Sequence, residues 1–396
     1  MTGIRFVNGD VVHPGGRIAP GVIDVADGQI VGVYEAGQAP ASDLNEVDAR
    51  GLTVAPGFVD LHVNGGGGKT FEEADADGLS EILDVYARHG TTALLGTLNT
   101  APMESRMESL ARLQAYQAAS DGPVDFLGVY LEGPYYNPEQ RGAHREDWMR
   151  DPDPEEYGIW LDRFGDLIRV VSLAPEREGA LELIEELSRQ GIVPAVGHSM
   201  ATDQEIVRAI EAGLKLVTHL YNAQSTFYRG DSGKHLGVAE MGLMRDELTV
   251  EIIPDGHHLT PAMLAFVLKM KAYNRICVIT DAMQATGLGP GTYEVMGNPV
   301  WVDEYVAYRE DWKRHAGSIL TMDRAVKNVV EAGVPLGEAI QMATVVPAQT
   351  IGVADRKGKL QKGYDADLVL LDRDLEVSAT LCRGRFAYVR KGFALE

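Results

Sequence analysis

The chain has 396 residues, 45% of them hydrophobic and 24% charged, a composition that suits one large globular unit with a small appendage. Its formal net charge of −22 argues against nucleic acid or an anionic membrane surface as a partner, and an anionic substrate would need a locally basic pocket. Cys277 and Cys382 make no metal-ligand spacing and fit a reducing cytoplasm.

The opening MTGIRFVNGDVV has no basic stretch followed by an apolar core, so no signal peptide is expected. No uninterrupted apolar run approaches the roughly 18–20 residues of a membrane span, so no membrane partner is expected and the predicted location is cytoplasmic. The first segment alternates short β-like runs with turn signals, Asn8-Gly9 in IRFVNGDVV and Asp27-Gly28 in VIDVADGQIVGV, each predicting a hairpin turn. The last segment reads the same way, through ADLVLLD and FAYVRKG. Residues 1–54 and 355–396 are therefore expected to build one small β-sandwich domain from both termini, with residues 55–354 forming a central unit.

In that central unit short apolar runs alternate with helical stretches. Eight such runs occur: GFVDLHV, TTALLGTL, DFLGVYLEG, IRVVSLAPE, VPAVGHS, KLVTHLYNA, LTVEIIPDG and RICVITDAM. ALELIEELSRQG and TDQEIVRAIEAG, lying between them, have the spacing of amphipathic helices. Strands alternating with helices give parallel sheets, and eight units predict an α/β fold of the TIM-like (β/α)8 barrel type.

Catalytic groups of such a barrel come from the C-terminal ends of its strands. The runs end in His62 and Asn64, Glu132, His198, His219 and Asn222, Asp255 and His258, and Asp281. Glu132, His198 and His219 supply one carboxylate and two imidazoles from three strands, a donor set for a divalent metal with positions left open for water and substrate. Asp281, ending the eighth run, is the expected proton carrier for that water.

The stretch DLHVNGGGGKT, Asp60 to Thr70, also resembles a phosphate-binding loop. A Walker loop needs a Gly five positions before Gly68, where this chain has Val63. Gly65 to Gly68 are instead expected to form a flexible loop over the pocket mouth, with Lys69 facing solvent.

The motifs APGFVDLHVNG, LEGPYYNPEQRGAH, VGHS, THLYNA, DGHHL, ITDA and AGSILTMDRAVKN, in order and nearly end to end, resemble the N-acetylglucosamine-6-phosphate deacetylases of the amidohydrolase superfamily. LEGP with THLYNA is specific to that family, whereas PGFVDLH marks only the superfamily. The resemblance implies a metal-dependent hydrolase that releases acetate from a 2-acetamido sugar 6-phosphate. It implies Glu132, His198 and His219 as metal ligands, Asp281 as acid/base and His144 as the contact to the acetamide carbonyl. Asn222, the Ala223 backbone and His258 are the implied sugar-phosphate contacts. It also implies Zn or Fe as the metal and a homodimer in which a basic residue reaches the neighbour's phosphate. His62-x-Asn64 falls between the family's two-metal His-x-His and one-metal Gln-x-Asn, so one tightly bound ion is expected, with His62 a ligand of a weaker second. STFYRGDSGKHLG replaces the family's Gly-Arg-Glu-Pro-Gly, and Arg229 is the nearest match to its phosphate arginine, with Lys234 and His235 adding positive charge.

An amidohydrolase for another acetamido sugar, a cyclic amide or an N-acyl amino acid would keep the metal face and change the pocket. A lysine at a middle strand end, able to be carboxylated and bridge two metals, would favour it, and none of the eight strand ends shows one. A non-catalytic sugar- or metal-binding barrel would be marked by loss of Glu132, His198, His219 or Asp281, all of which are present.

Overall fold

The computed structural model describes residues 3–119, 121–230, 233–295, 298–303, 306–308 and 315–394. The eight apolar runs are eight parallel strands: β1 (Phe58–Val63), β2 (Thr91–Leu98), β3 (Asp125–Glu132), β4 (Ile168–Leu173), β5 (Val193–Val196), β6 (Leu216–Val217), β7 (Thr249–Ile252) and β8 (Ile276–Val278). Each pairs with the next in sequence. The ring closes between β8 and β1, where Val63 bridges Ala282, the Asp281 N–H donates to the His62 carbonyl at 2.9 Å, and Thr280 Oγ1 donates to Asp60 Oδ2 at 2.6 Å. The predicted (β/α)8 barrel is observed. Every residue of β1 and β2 is buried, because one face lines the barrel interior and the other lies under helices. That two-sided burial is why these strands read as unbroken apolar runs.

The helices form where sequence spacing and capping agree. Ala180–Arg189 buries Ala180, Leu183, Ile184 and Leu187, one face at a 3.6-residue period. Asp203–Ala212 starts at a capping box: Thr202 Oγ1 accepts the Glu205 N–H at 3.3 Å and the Glu205 carboxylate accepts the Thr202 N–H at 2.8 Å. Among the described residues, no helix is long and apolar enough to cross a membrane.

The two ends of the chain share one eight-stranded sheet, in the order Arg385–Val389, Val377–Cys382, Leu368–Leu371, Thr53–Pro56, Gly3–Val12, Ile18–Ala26, Gln29–Glu35, with Asn45–Asp48 also alongside Gly3–Val12. Its core holds Phe6, Ile23, Ile30, Val54, Leu368 and Leu370. Asp27 and Gly28 have φ of 50° and 79° and make the expected tight turn. Asn8-Gly9 does not turn the chain. It lies inside Gly3–Val12, where Asn8 has φ 62° and the register against Ile18–Ala26 shifts, so the dipeptide makes a bulge. Glycine is required there because a Cβ on residue 9 would stand 2.9 Å from the Ala49 methyl.

A further sheet of four antiparallel strands, Gly291–Val295, Asn298–Val302, Val306–Tyr308 and His315–Ser318, follows β8 and was not expected from the sequence. Val300, Val302 and Ala307 pack against Met283 and Ala285, beside the loop that carries Asp281.

The floor of the barrel joins the terminal sheet through a buried ion cluster. Lys357 Nζ, fully buried, lies 2.8 Å from Asp125 at the start of β3, 2.9 Å from Asp365 and 2.6 Å from Asp367. Burial opposes the charge on Asp125, yet Lys357, Arg356 and Arg383 outweigh it and hold its carboxyl below the usual range. Such a pair stabilises above the ordinary carboxylate pKa, and its contribution is lost as pH falls through the folded-state value. Lys357→Met leaves Asp367 with no cationic side chain among the described residues, Asp365 with Arg356 alone and Asp125 with Arg356 and Arg383, and is expected to destabilise by about 3–5 kcal/mol at pH 7. The deficit should narrow on acidification, because the wild type then loses what the variant already lacks. Denaturant unfolding at pH 7 and at about pH 3, below the ordinary carboxylate value, measures both, and a variant as stable as wild type at pH 7 removes the cluster from the junction's stability.

Candidate metal centre

Glu132 is the last residue of β3, and His198 and His219 stand two residues beyond β5 and β6. His62 lies within β1, and Asp281 is three residues past β8. His198, His219 and Asp281 have φ of 47°, 25° and 49°, in the left-handed region that non-glycine residues rarely adopt. Each such residue costs about 1–3 kcal/mol and persists where the surrounding fold over-determines it. Here the left-handed turns end the strands abruptly and face the side chains inward.

Glu132 Oε1 lies 3.0 Å from His198 Nε2 and 3.0 Å from His219 Nε2. One ligand atom from each of these three buried residues falls within 4.8 Å of the others. His198 Nδ1 is 2.8 Å from the Gln140 carbonyl oxygen, so Nδ1 carries the proton and Nε2 keeps its lone pair. Burial lowers the His198 imidazole to about 4, with the neighbouring His144 adding to the effect. A neutral imidazole therefore directs a lone pair at a carboxylate oxygen. A cation between them satisfies both, and the residues present fit a divalent metal held by two nitrogens and one oxygen.

His62 stands beside this group. Its Nε2 is 3.4 Å from Glu132 Oε2 and 3.5 Å from Asp281 Oδ1, buried without a hydrogen bond among the described residues. Its Nδ1 is 3.5 Å from Glu251 Oε2. Burial opposes its charge, but Asp281, Glu132 and Glu251 outweigh burial and raise its pKa well above the ordinary value. Glu251, fully buried in β7, also accepts the His219 backbone N–H at 3.2 Å. Asp60 is fully buried two residues before His62, and burial pushes its carboxyl up to about 7 against the hydrogen bonds from Thr280 and His62. Sequence reasoning did not assign Glu251 or Asp60, although a charged residue inside an apolar strand run was the signal for both.

His144 reaches the same point from the loop after β3. Its Nε2 is 3.5 Å from Glu132 Oε1, and its Nδ1 is 2.9 Å from Thr100 Oγ1. A hydroxyl proton given to Nδ1 leaves Nε2 as the donor into the site. Tyr136 was also missed; its ring lies 4.5 Å from that of His198 and 5.2 Å from that of His144, forming the wall behind both.

The remaining expected residues sit further out. Asn222 Nδ2 donates to the carbonyls of His219 and Leu220 at 3.1 and 3.3 Å, and Ala223, with φ 50°, accepts the Ser199 N–H. Both therefore shape the loop after β6 at the rim. His258 Nδ1 is 2.6 Å from Asp255 Oδ2; burial opposes its charge, but Asp255 and then Asp281 raise its pKa. Arg229 stands exposed on the two-stranded hairpin Tyr228–Gly230 and Gly233–His235, opposite Lys234.

The glycine-rich stretch is not a flexible loop. Gly65–Gly66 pairs with Lys69–Thr70 in a tight hairpin, and the Gly65, Gly67 and Gly68 N–H groups donate to Ala282, Thr286 and Gln284 carbonyls. A Cβ on Gly65 would lie 2.1 Å from the Lys69 carbonyl oxygen, which is why glycine stands there. Lys69 is half-exposed and faces Glu81 at 3.5 Å.

Residues 53–387 match the Amidohydrolase family, and the chain belongs to that family. It is therefore a hydrolase of carbon–nitrogen bonds of the amide kind. It is 36% identical over 365 residues to the N-acetylgalactosamine-6-phosphate deacetylase of Escherichia coli O157:H7, covering 92% of this chain and 93% of that one. It is 32% identical over 379 residues to the N-acetylglucosamine-6-phosphate deacetylase of Bacillus subtilis (strain 168), covering 94% of each. A mutant N-acetyl-D-glucosamine-6-phosphate deacetylase from Mycobacterium smegmatis, in complex with N-acetyl-D-glucosamine-6-phosphate, superposes with a TM-score of 0.88 at 33% identity, over 98% of this chain and 100% of that one.

His198→Ala and His219→Ala are each expected to purify without the tightly held ion, whereas His62→Ala keeps it and loses only a weaker second one. Elemental analysis after dialysis reads this directly. Wild-type metal content in His198→Ala or His219→Ala refutes the ligand set.

Proposed function

We propose that this chain hydrolyses the acetamide of an N-acetylhexosamine 6-phosphate, foremost N-acetylglucosamine 6-phosphate, to the amino sugar phosphate and acetate. The observation that carries the proposal is the convergence of Glu132, His198 and His219 on one point, with Asp281 and His144 facing it, in a chain whose relatives over nine-tenths of its length are such deacetylases. Two imidazoles and one carboxylate favour Zn or Fe. The reading extends to a cytoplasmic homodimer, supported by the buried Cys277 and Cys382, which form no disulfide, and by the exposed Arg229 on its hairpin.

An amide resists water because resonance stabilises its carbonyl and amide nitrogen leaves poorly. A divalent cation at Glu132, His198 and His219 supplies Lewis acidity toward water and the carbonyl. Asp281 takes the proton of the attacking water as the carbon–oxygen bond forms, and returns it to nitrogen as the carbon–nitrogen bond breaks. His144 Nε2 donates to the carbonyl oxygen as it gains charge; one such donor is commonly worth about 3 kcal/mol. His258, whose pKa Asp255 raises, and Arg229 are the groups we assign to the phosphate dianion.

The test is acetate release from N-acetylglucosamine 6-phosphate, N-acetylgalactosamine 6-phosphate and their unphosphorylated forms, with metal content measured on the same sample. The greater identity to the galactosamine enzyme makes the second epimer the specific competitor, and the ratio of kcat/KM decides between them. No acetate from any of the four overturns the proposal.

Asp281→Asn is expected to keep its metal and lower kcat by about 10²–10⁴-fold; full turnover removes Asp281 from proton transfer. Arg229→Ala and His258→Ala should raise KM for the phosphorylated sugar about 10-fold or more, the effect of losing one charged contact, and change the unphosphorylated sugar little. Equal effects on both would assign the two residues away from the phosphate.

A further inference from the structure

Asp281 is held by a hydrogen-bonded chain that runs away from the metal ligands. Asn64 Nδ2 donates to Asp281 Oδ1 at 2.7 Å. Asn64 Oδ1 accepts from Asn99 Nδ2 at 3.0 Å, and the same Asn99 Nδ2 donates to Glu72 Oε1 at 2.8 Å. The Asn99 backbone N–H reaches that oxygen too, at 2.9 Å. Three elements meet here: Asn64 follows β1, Asn99 follows β2, and Glu72 follows the glycine hairpin.

The direction of every link is forced by its ends. Glu72 Oε1 already accepts the Asn99 backbone N–H, so it acts as an acceptor whether or not the carboxyl carries a proton on its other oxygen, and an amide offers two N–H groups on one side and an oxygen on the other. Turning Asn64 over would set its oxygen against Asp281. Turning Asn99 over would set its oxygen against both Glu72 Oε1 and Asn64 Oδ1. With Glu72 at the far end, both N–H groups of Asn99 are spent, the Asn64 oxygen is fixed, and one Asn64 N–H must point at Asp281.

The glycine hairpin makes the arrangement possible. Gly65 pairs with Thr70 and the Phe71 N–H donates to the Asn64 carbonyl at 3.3 Å, which brings Asn64 and Glu72 side by side. Gly67 and Gly68, with φ of 60° and 87°, turn the chain within four residues. The hairpin is pinned at its base and tip to the backbone of Ala282, Gln284 and Thr286, immediately after Asp281. One small element therefore fixes both the donor to Asp281 and the loop that carries it. This gives DLHVNGGGGKT a role other than phosphate binding.

We propose that Glu72 and Asn99 are positioning residues for proton transfer, acting on Asp281 through Asn64. With Oδ1 committed to Asn64 and facing His62, the carboxylate cannot rotate, and Oδ2 is the oxygen presented to the attacking water. The proposal rests on the deacetylase reading, so every variant is measured as a ratio to wild-type acetate release.

Glu72→Leu removes the acceptor at the far end, and Asn99→Leu removes the middle of the chain. Each is expected to lower kcat by about 10- to 100-fold, the range for partners that orient a reactive group from outside. KM should stay within about two-fold and metal content should match wild type. Glu72→Gln keeps an oxygen facing Asn99 and should restore most of kcat. In an Asp281→Asn background, Glu72→Leu should cost nothing further, because the group it orients no longer carries protons. A defect from loosened packing would instead multiply with Asp281→Asn and would not be repaired by glutamine. Wild-type kcat in Glu72→Leu, loss of metal with kcat, or a multiplied loss in the double variant overturns the relay. A wild-type protein that releases no acetate overturns the substrate reading instead, and the two failures stay distinct.

Discussion

A single carboxylate oxygen, Glu132 Oε1, shared at 3.0 Å by two imidazole nitrogens, is the contact on which the rest of the site depends. Its partners come from β5 and β6, 66 and 87 residues further along the chain. Burying that carboxylate is costly, and Glu251 and Asp281 add two more acidic groups around His62. His198 stays neutral because burial lowers it to about 4, and His62, whose pKa those same carboxylates raise, offsets one of the three charges and leaves an excess. A buried excess of negative charge persists only where a positive group resides, and a divalent cation at Glu132, His198 and His219 provides it. The left-handed backbone at His198, His219 and Asp281 has the same origin, since each side chain must leave its strand at once to reach a common centre.

The barrel separates that demand from its own stability. The strained and charged residues lie at the C-terminal ends of the strands. The opposite end is tied to the terminal sheet by Lys357 and three aspartates, all of them paired. Such a division, with reactive groups at one face and cohesion at the other, lets the mouth vary without loosening the closed sheet. The closure between β1 and β8 serves both ends, because the Asp60 and Thr280 contact that seals the ring stands two residues before His62 and one before Asp281.

The barrel strands were legible because two-sided burial writes itself as uninterrupted Val, Ile and Leu, and the convergence of Glu132, His198 and His219 because polar groups closing such runs are drawn to one barrel face. Legibility failed where a short signal has two structural answers. Asn8-Gly9 admits φ above zero equally in a turn and in a bulge, and the neighbouring Ala49 methyl, distant in sequence, decides for the bulge. Gly65 to Gly68 carry no side chains to pattern, so composition alone suggests mobility, whereas the hairpin is held by backbone bonds to residues more than 200 positions away. Glu251 and Asp60 were visible as charges inside strands, yet their role depends on the inward face, which periodicity does not reveal in a strand buried on both sides. Val300, Val302 and Ala307 of the added strands pack a small core against Met283, the last residue of the eighth run, and Ala285 just past it.

The net charge of −22 now acquires a local meaning. A sugar phosphate dianion entering this mouth meets Glu132, Glu251, Asp255 and Asp281, and would be repelled by the protein alone. A divalent cation offsets two of those four charges, and the raised pKa of His258 means that Asp255 is spent in keeping that imidazole positive. On the proposed reading, what remains comes from the rim, where Arg229 and Lys234 face each other across an exposed hairpin. The carboxylates are buried where a metal would balance them, while the charges offered to phosphate lie outside. An acidic protein can therefore hold an anionic substrate without a basic surface, because neutralisation occurs at the centre and attraction at the edge.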